Sequence, residues 1–315
     1  MKSARLPALL LLAACLFGPL PAAGAGGQPP ASLLIWPEYD TRPGQLTFLT
    51  LTNVNGNTQS GAIRVHLIYV DATTCLQTDL SLSLTPRDTV TFLANAHVPP
   101  GRRGYVYGTA REVSTNRMID FDHLIGALLR VDGVMAQDWS VQTLGFRGKT
   151  APGTSTDVDN DGQPDLDGVE YEKAPNRFWV PRFFGQHPEP AMRSSTVSEL
   201  ILFQPLVGLG VTTTTAFLVW NDNEEVYSAL YGFTCWTRVR PLTISGAFGQ
   251  AFLEQSNHNP AEVIGMPALE TGWFEVRGTT SMGPSGQSVH NPPVLGVLVE
   301  MRPYSAADLP FIDAD

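Results

Sequence analysis

The chain has 315 residues and carries 30 acidic against 20 basic side chains, a formal net charge of −10. That excess argues against binding nucleic acid, where basic residues must neutralise phosphates. The three cysteines, Cys15, Cys75 and Cys235, are too few for a small disulfide-stapled scaffold or a four-cysteine zinc site, while 43% hydrophobic residues suffice for one or two ordinary cores.

Lys2 and Arg5 lead into an apolar run from Leu6 to Leu20 that closes in Ala22-Ala23-Gly24-Ala25, the order of a secretory signal peptide over residues 1–25. The run is shorter than the roughly 20 residues a bilayer needs and is broken by prolines, so no transmembrane span is expected. Cleavage after Ala25 releases an exported protein: secreted, periplasmic or at the cell surface. Leu12-Ala13-Ala14-Cys15 also has the form of a bacterial lipoprotein box, and a lipid on Cys15 would tether the chain to the outer envelope. The leader takes away basic residues only, so the exported chain is more acidic still.

Beyond the leader the local signal is β. Leu46–Thr52, Ala62–Val70, Leu80–Leu84, Thr89–Leu93 and Tyr105–Ala110 are short, rich in Val, Thr, Ile, Tyr and Phe, and separated by turn residues. In the run from Ala62, Ile63, Val65, Leu67 and Tyr69 alternate with Arg64, His66 and Ile68, which places His66 on a solvent-facing or inter-sheet position with a structural role. Asp120-Phe121-Asp122-His123 reads either as a turn or edge segment or as an acid/base cluster with both aspartates on one strand face.

Residues 134–197 break the pattern and read as a loop-rich connector. Within it, Asp157-Val158-Asp159-Asn160-Asp161-Gly162-Gln163-Pro164-Asp165-Leu166-Asp167-Gly168 puts carboxylates at the first, third, fifth and ninth positions and glycine at the sixth. Alternate residues of a tight loop point inward, so three aspartates converge, Gly162 permits the sharp turn, and Gln163 offers its backbone carbonyl. Hard oxygen ligands at that spacing select calcium over zinc or copper. The alternative is a solvated acidic spacer.

The second half is again β by pattern: Thr213–Trp220, Ala229–Thr234, Arg240–Ile244, Gln250–Leu253, Trp273–Gly278 and Leu295–Met301. Three blocks recur in order. Leu51–Asn55 matches Val219–Asn223. Cys75, Leu82 and Phe92-Leu93 match Cys235, Leu242 and Phe252-Leu253. Gly108-Thr109 and Leu124–Leu128 match Gly278-Thr279 and Val294–Leu298. The expected fold is therefore all-β: two tandem β-sandwich repeats, immunoglobulin-like or jelly-roll-like, over 31–133 and 198–303, with an acidic tail over 304–315. Equivalent positions for Cys75 and Cys235 leave open an inter-repeat disulfide or two buried thiols.

The 157–168 run resembles the calcium loops of EF-hands, dockerins and thrombospondin type 3 repeats. The likeness implies Asp157, Asp159, Asp161 and Asp165 as ligands, with Gln163 through its carbonyl. The EF-hand pattern has glutamate at the twelfth position where this chain has Gly168, so Asp167 or Glu170 is the substitute. The runs Cys75–Asp79, Leu84–Thr89 and Phe121–Gly126 are also similar to poorly characterised secreted bacterial proteins built of tandem β-sandwiches, a likeness that implies no activity.

No G-x-S-x-G, H-E-x-x-H, P-loop or dinucleotide-binding glycine motif occurs. The expected function is non-catalytic: a structural or interaction protein meeting a protein or glycan at the cell surface. A carbohydrate-binding module is the alternative if several of the six tryptophans share an exposed face, and a hydrolase if Asp120, Asp122 or His123 meets another polar group in a cleft.

Overall fold

The computed structural model describes residues 28–186, 197–206, 208–255, 270–302, 305–309 and 312–313; the expected leader over 1–25, with Cys15, lies outside them. Among the described residues no helix is long and apolar enough to cross a membrane, which says nothing of a membrane β-barrel. The chain is mainly β. In order come β1 (Leu33–Asp40), β2 (Gln45–Asn53), β3 (Ile63–Asp71), β4 (Gln77–Leu84), β5 (Thr89–Leu93), β6 (Arg103–Arg111), β7 (Leu124–Asp132), β8 (Gln137–Gln142) and β9 (Leu144–Phe146). There follow β10 (Arg177–Phe184), β11 (Val197–Phe203), β12 (Thr212–Trp220), β13 (Val226–Thr234), β14 (Trp236–Val239), β15 (Thr271–Met282), β16 (Ser288–His290), β17 (Leu295–Arg302), β18 (Ser305–Leu309) and β19 (Ile312–Asp313).

These strands form antiparallel sheets with the orders β4-β3-β6-β1-β9 and β5-β2-β7-β8, then β13-β12-β15-β10-β19 and β14-β11-β17-β18, with β16 added to β15. The two pairs of orders coincide strand for strand. β10 takes the place of β1, β11 that of β2, and so on through β15 for β6, with β17, β18 and β19 for β7, β8 and β9. The match extends to irregularities. The β1 register shifts between Trp36 and Tyr39, around Pro37, and the β10 register shifts between Val180 and Phe183, around Pro181. Opposite these bulges sit Gly104 and Gly272, where a Cβ would collide with the carbonyls of Val70 and Trp220.

This correspondence revises the matches drawn from sequence. Leu124–Leu128 and Val294–Leu298 do lie at corresponding strands, β7 and β17. Leu51–Asn55 ends β2, however, whereas Val219–Asn223 ends β12, the counterpart of β3. Cys75 follows β3 and Cys235 follows β13, which are not counterparts. The reason is local: strands that end in an Asx turn look alike in sequence wherever they sit in the sheet. Asp71 and Asn221 are the true pair, each capping its turn by accepting backbone N–H groups two to four residues on.

Strands also occupy regions expected to be otherwise. β8, β9 and β10 fall inside 134–197, so only part of that stretch connects, and β18 and β19 fall inside the expected tail. Arg240–Ile244 and Gln250–Leu253, expected as strands, contain the helical turns Pro241–Ile244 and Gln250–Leu253. Pro241 opens the first at a position where its missing N–H costs nothing.

One core takes residues from β1, β2, β3, β6 and β7 and continues through Ile201, Phe203, Trp236, Leu295, Val297 and Val299 of the second half. A second core lies between the opposite face of that sheet, with Leu200, Leu202 and Leu298, and Phe178, Phe217, Phe274 and Val276. Leu200 to Phe203 are thus fully buried on alternating faces, the continuous apolar run of a strand with no wet side. The halves are also joined by the disulfide Cys75–Cys235, with Cα atoms 5.9 Å apart across 160 residues of sequence.

At the same junction lies a buried charge cluster. Glu38, on the β1 bulge, is fully enclosed; Arg238 of β14 donates to both its oxygens at 2.8 and 2.7 Å, and Arg130 of β7 approaches it at 3.5 Å. Arg130 also donates to Asp40 at 2.8 Å and to Gln45, and Arg238 to Glu199. Trp236 donates to the Pro37 carbonyl alongside. Replacing one partner of such a set strands a buried charge, at a cost of about 3–5 kcal/mol. Arg238→Met is therefore expected to lower unfolding free energy by that order in denaturant titration, and Glu38→Met/Arg238→Met to recover most of the loss. A single variant of unchanged stability would show that the cluster does not fasten the halves.

Candidate metal centre

The acidic loop hangs between two fixed points. The Thr156 hydroxyl and the Tyr171 phenol share a buried hydrogen bond of 2.8 Å; Thr156 N–H donates to the Met118 carbonyl, and Lys149 N–H donates to the Glu170 carbonyl. Between them the chain folds through successive Asx turns. Asp159 accepts from Asp161 N–H at 3.1 Å, Asp161 from Gln163 N–H at 2.7 Å, and Asp167 from Val169 and Glu170 N–H at 2.7 and 3.2 Å. Gly162 has φ +79°, the left-handed conformation its place in the motif requires.

Glu170 is buried and closes the loop from its far end, one oxygen accepting from Val158 N–H and the other from Asp165 N–H at 3.0 Å. Ligand oxygens of Asp157, Asp159 and Glu170 lie within 4.8 Å of one another, close enough to share an ion at about 2.4 Å each. One oxygen of Asp157 is enclosed and has no hydrogen-bond partner among the described residues. Burial and then the charges of Asp161, Asp167, Asp159 and Asp157 push the Asp165 carboxyl above its ordinary pKa. Burial likewise raises that of Glu170, against the hydrogen bonds it accepts. A divalent cation would relieve this crowding.

Of the residues expected from sequence, the structure brings together Asp157, Asp159 and Glu170. Asp161 and Asp167, which like Asp159 accept turn amides, lie outside that group, Asp165 stands beside it, and Gln163 lines a neighbouring cavity. Glu170 thus serves as the closing acid and Asp167 as a turn cap. Nothing in the loop's spacing alone separates them, because the choice follows from Tyr171 anchoring the next residue in the core.

Asp120–His123 forms a turn entering β7 and no strand. Asp122 accepts from Ser32 Oγ at 2.7 Å, Gly148 N–H at 2.9 Å and Arg147 Nε at 2.9 Å, so it ties the first strand to the segment after β9. Burial and then the Asp122 charge raise the pKa of Asp120. His66 lies half-buried with Nδ1 3.1 Å from Ser81 Oγ, consistent with its place on the alternation. Trp36, Trp139 and Trp236 are buried; Trp179, Trp220 and Trp273 share the outer face of β10-β15-β12, where Trp220 and Trp273 stack at 3.9 Å between centroids.

No protein-family model, curated protein or solved structure matches the chain. The loop's construction yields a direct expectation. Glu170→Ala removes acceptors for two amides, each a charge-assisted bond worth about 1.5–3 kcal/mol. Hydrogen exchange at Val158 and Asp165 should then speed by about tenfold or more, while amides of β3 and β6 keep their protection; unchanged exchange at both loop amides would rule out Glu170 as the closing group.

Proposed function

We propose that the chain is an exported, non-catalytic structural or interaction protein of a bacterial cell envelope, two β-sandwich repeats braced by a calcium-bound loop. The observation that carries this reading is the enclosed, unpartnered oxygen of Asp157 beside Asp159 and Glu170. An all-oxygen, carboxylate-rich site favours a hard divalent cation, and a flexible loop of this length favours calcium over the smaller magnesium. The matching strand orders and the two cores between sheets support tandem sandwiches, with β8 and β9 completing the first and β10 opening the second. A disulfide is compatible with an oxidising compartment and hence with the leader.

Calorimetric titration of residues 26–315 with calcium should show saturable binding that is lost in Asp157→Asn/Asp159→Asn, and calcium should raise the melting temperature of the parent only. Absence of binding would reduce the loop to a solvated spacer.

A carbohydrate-binding role is the second reading, favoured by the three tryptophans on one sheet face, with Trp273 38% exposed and Glu275 beside them. Stacking on such rings is a common way to hold sugars. Titration with cellohexaose should quench tryptophan fluorescence in the parent and leave Trp273→Ala unaffected; identical flat titrations would remove this reading.

A further inference from the structure

A separate cavity of about 270 Å³ lies between the β4-β3-β6 surface and the turn Gly162-Gln163-Pro164 of the acidic loop. Its floor is set by register. Tyr107, Thr109 and Arg111 alternate onto one face of β6, and across β3 they meet Ile68, His66 and Arg64; beyond these, β4 places Asp79 opposite Ile68 and Ser81 opposite His66. Arg111 and Asp79 therefore occupy opposite corners, four residues apart along β3 and two strands apart across the sheet.

The groups at these corners differ in what they lack. Among the described residues the Arg111 guanidinium makes no ion pair and donates one hydrogen bond, to the Asn116 carbonyl at 3.2 Å, and its Nε is enclosed without an acceptor. Thr109 is 1% exposed, and its hydroxyl has no partner among the described residues. A half-buried guanidinium and a buried hydroxyl with unspent donors call for an anion, and a carboxylate matches the guanidinium fork best. At the other corner Asp79 and Gln77 offer acceptors and donors suited to hydroxyl groups, with His66 between. Burial and then the Arg111 charge keep the His66 pKa below its ordinary value, so the ring adds no second cation at neutral pH.

We propose that this cavity binds a hexuronic acid, its carboxylate on Arg111 and Thr109 and its ring hydroxyls toward Asp79, Gln77 and His66, and that cation loading of the acidic loop strengthens the binding. The coupling rests on the reading of the loop as a calcium site. Arg111 pairs with Met118, whose carbonyl accepts from Thr156 N–H, and this brings the next residue, Asp157, within reach of the guanidinium charge; an unloaded loop therefore repels an entering carboxylate, whereas a loaded one does not.

The test is calorimetry on the full chain with D-glucuronate, with D-glucose as the neutral control, each in calcium and in chelator. Expected are one saturable glucuronate site, affinity for glucose lower by about tenfold or more, and weaker glucuronate binding in chelator. Arg111→Gln should lose about tenfold or more. Asp79→Asn, at an exposed position, should weaken glucuronate several-fold while keeping the preference over glucose. An oligoglucuronide that binds more tightly than D-glucuronate would identify a polysaccharide end as the natural source, and equal binding a free sugar acid. Silence toward glucuronate, or parity with glucose, would overturn the site. Calcium binding measured without sugar separates the two readings. Glucuronate bound equally with and without calcium, in a chain that does bind calcium, would overturn the coupling; glucuronate bound by a chain indifferent to calcium would leave the cavity standing and remove the loop reading.

Discussion

Glu38 is a carboxylate with no exposed surface, and a charge in that position persists only where cations are delivered to it from outside its own strand. Arg130 arrives from β7 and Arg238 from β14, 200 residues further on, so the burial of one side chain is met only when both halves of the chain are folded and docked. The neighbouring contacts have the same dependence: Trp236 on the Pro37 carbonyl, Phe203 stacked on Tyr105 at 4.9 Å, and the Cys75–Cys235 bridge. The β14-β11-β17-β18 sheet is consequently an interior layer, and its central strands are apolar on both faces.

That docking explains where chemistry is left over. The β6 strand turns Tyr105, Tyr107, Thr109 and Arg111 to the same side. The second half covers the Tyr105 end, while the acidic loop stands over the Thr109 and Arg111 end. A strand face too long for one neighbour thus has two, one apolar and dry, the other charged and incompletely satisfied. The loop in turn is tied at its base by the Thr156–Tyr171 hydrogen bond, which keeps its carboxylates crowded in one short segment. Constrained anionic groups are the setting in which a bound cation gains most.

Much of the architecture is legible in local sequence. The alternation from Ile63 to Tyr69, the strands from Leu46, Thr213 and Trp273, and the Asp-x-Asp-x-Asp-Gly turn all follow from side-chain period and turn chemistry, which act within a few residues. The strand at Arg177–Phe184 was hidden by its proline and its continuous aromatic content, although Val180-Pro181-Arg182-Phe183 repeats the bulge of Trp36-Pro37-Glu38-Tyr39. Correspondence between the halves was visible at Gly126 and Gly296, where backbones approach closely. It was misplaced at the cysteines, because a left-handed turn residue is required at many strand ends and marks none of them uniquely.

The sequence by itself determined that the chain is β, that it contains an acidic turn able to gather carboxylates, and that its few cysteines are not a framework. Those properties depend on composition and on neighbours a few residues apart. Tertiary structure alone decided that Cys75 meets Cys235, that Glu170 rather than Asp167 joins Asp157 and Asp159, and that three of six tryptophans stay near the surface. Each of those outcomes is fixed by which distant strand packs against the residue, and the energy of that packing is spread over both cores rather than written at any one position.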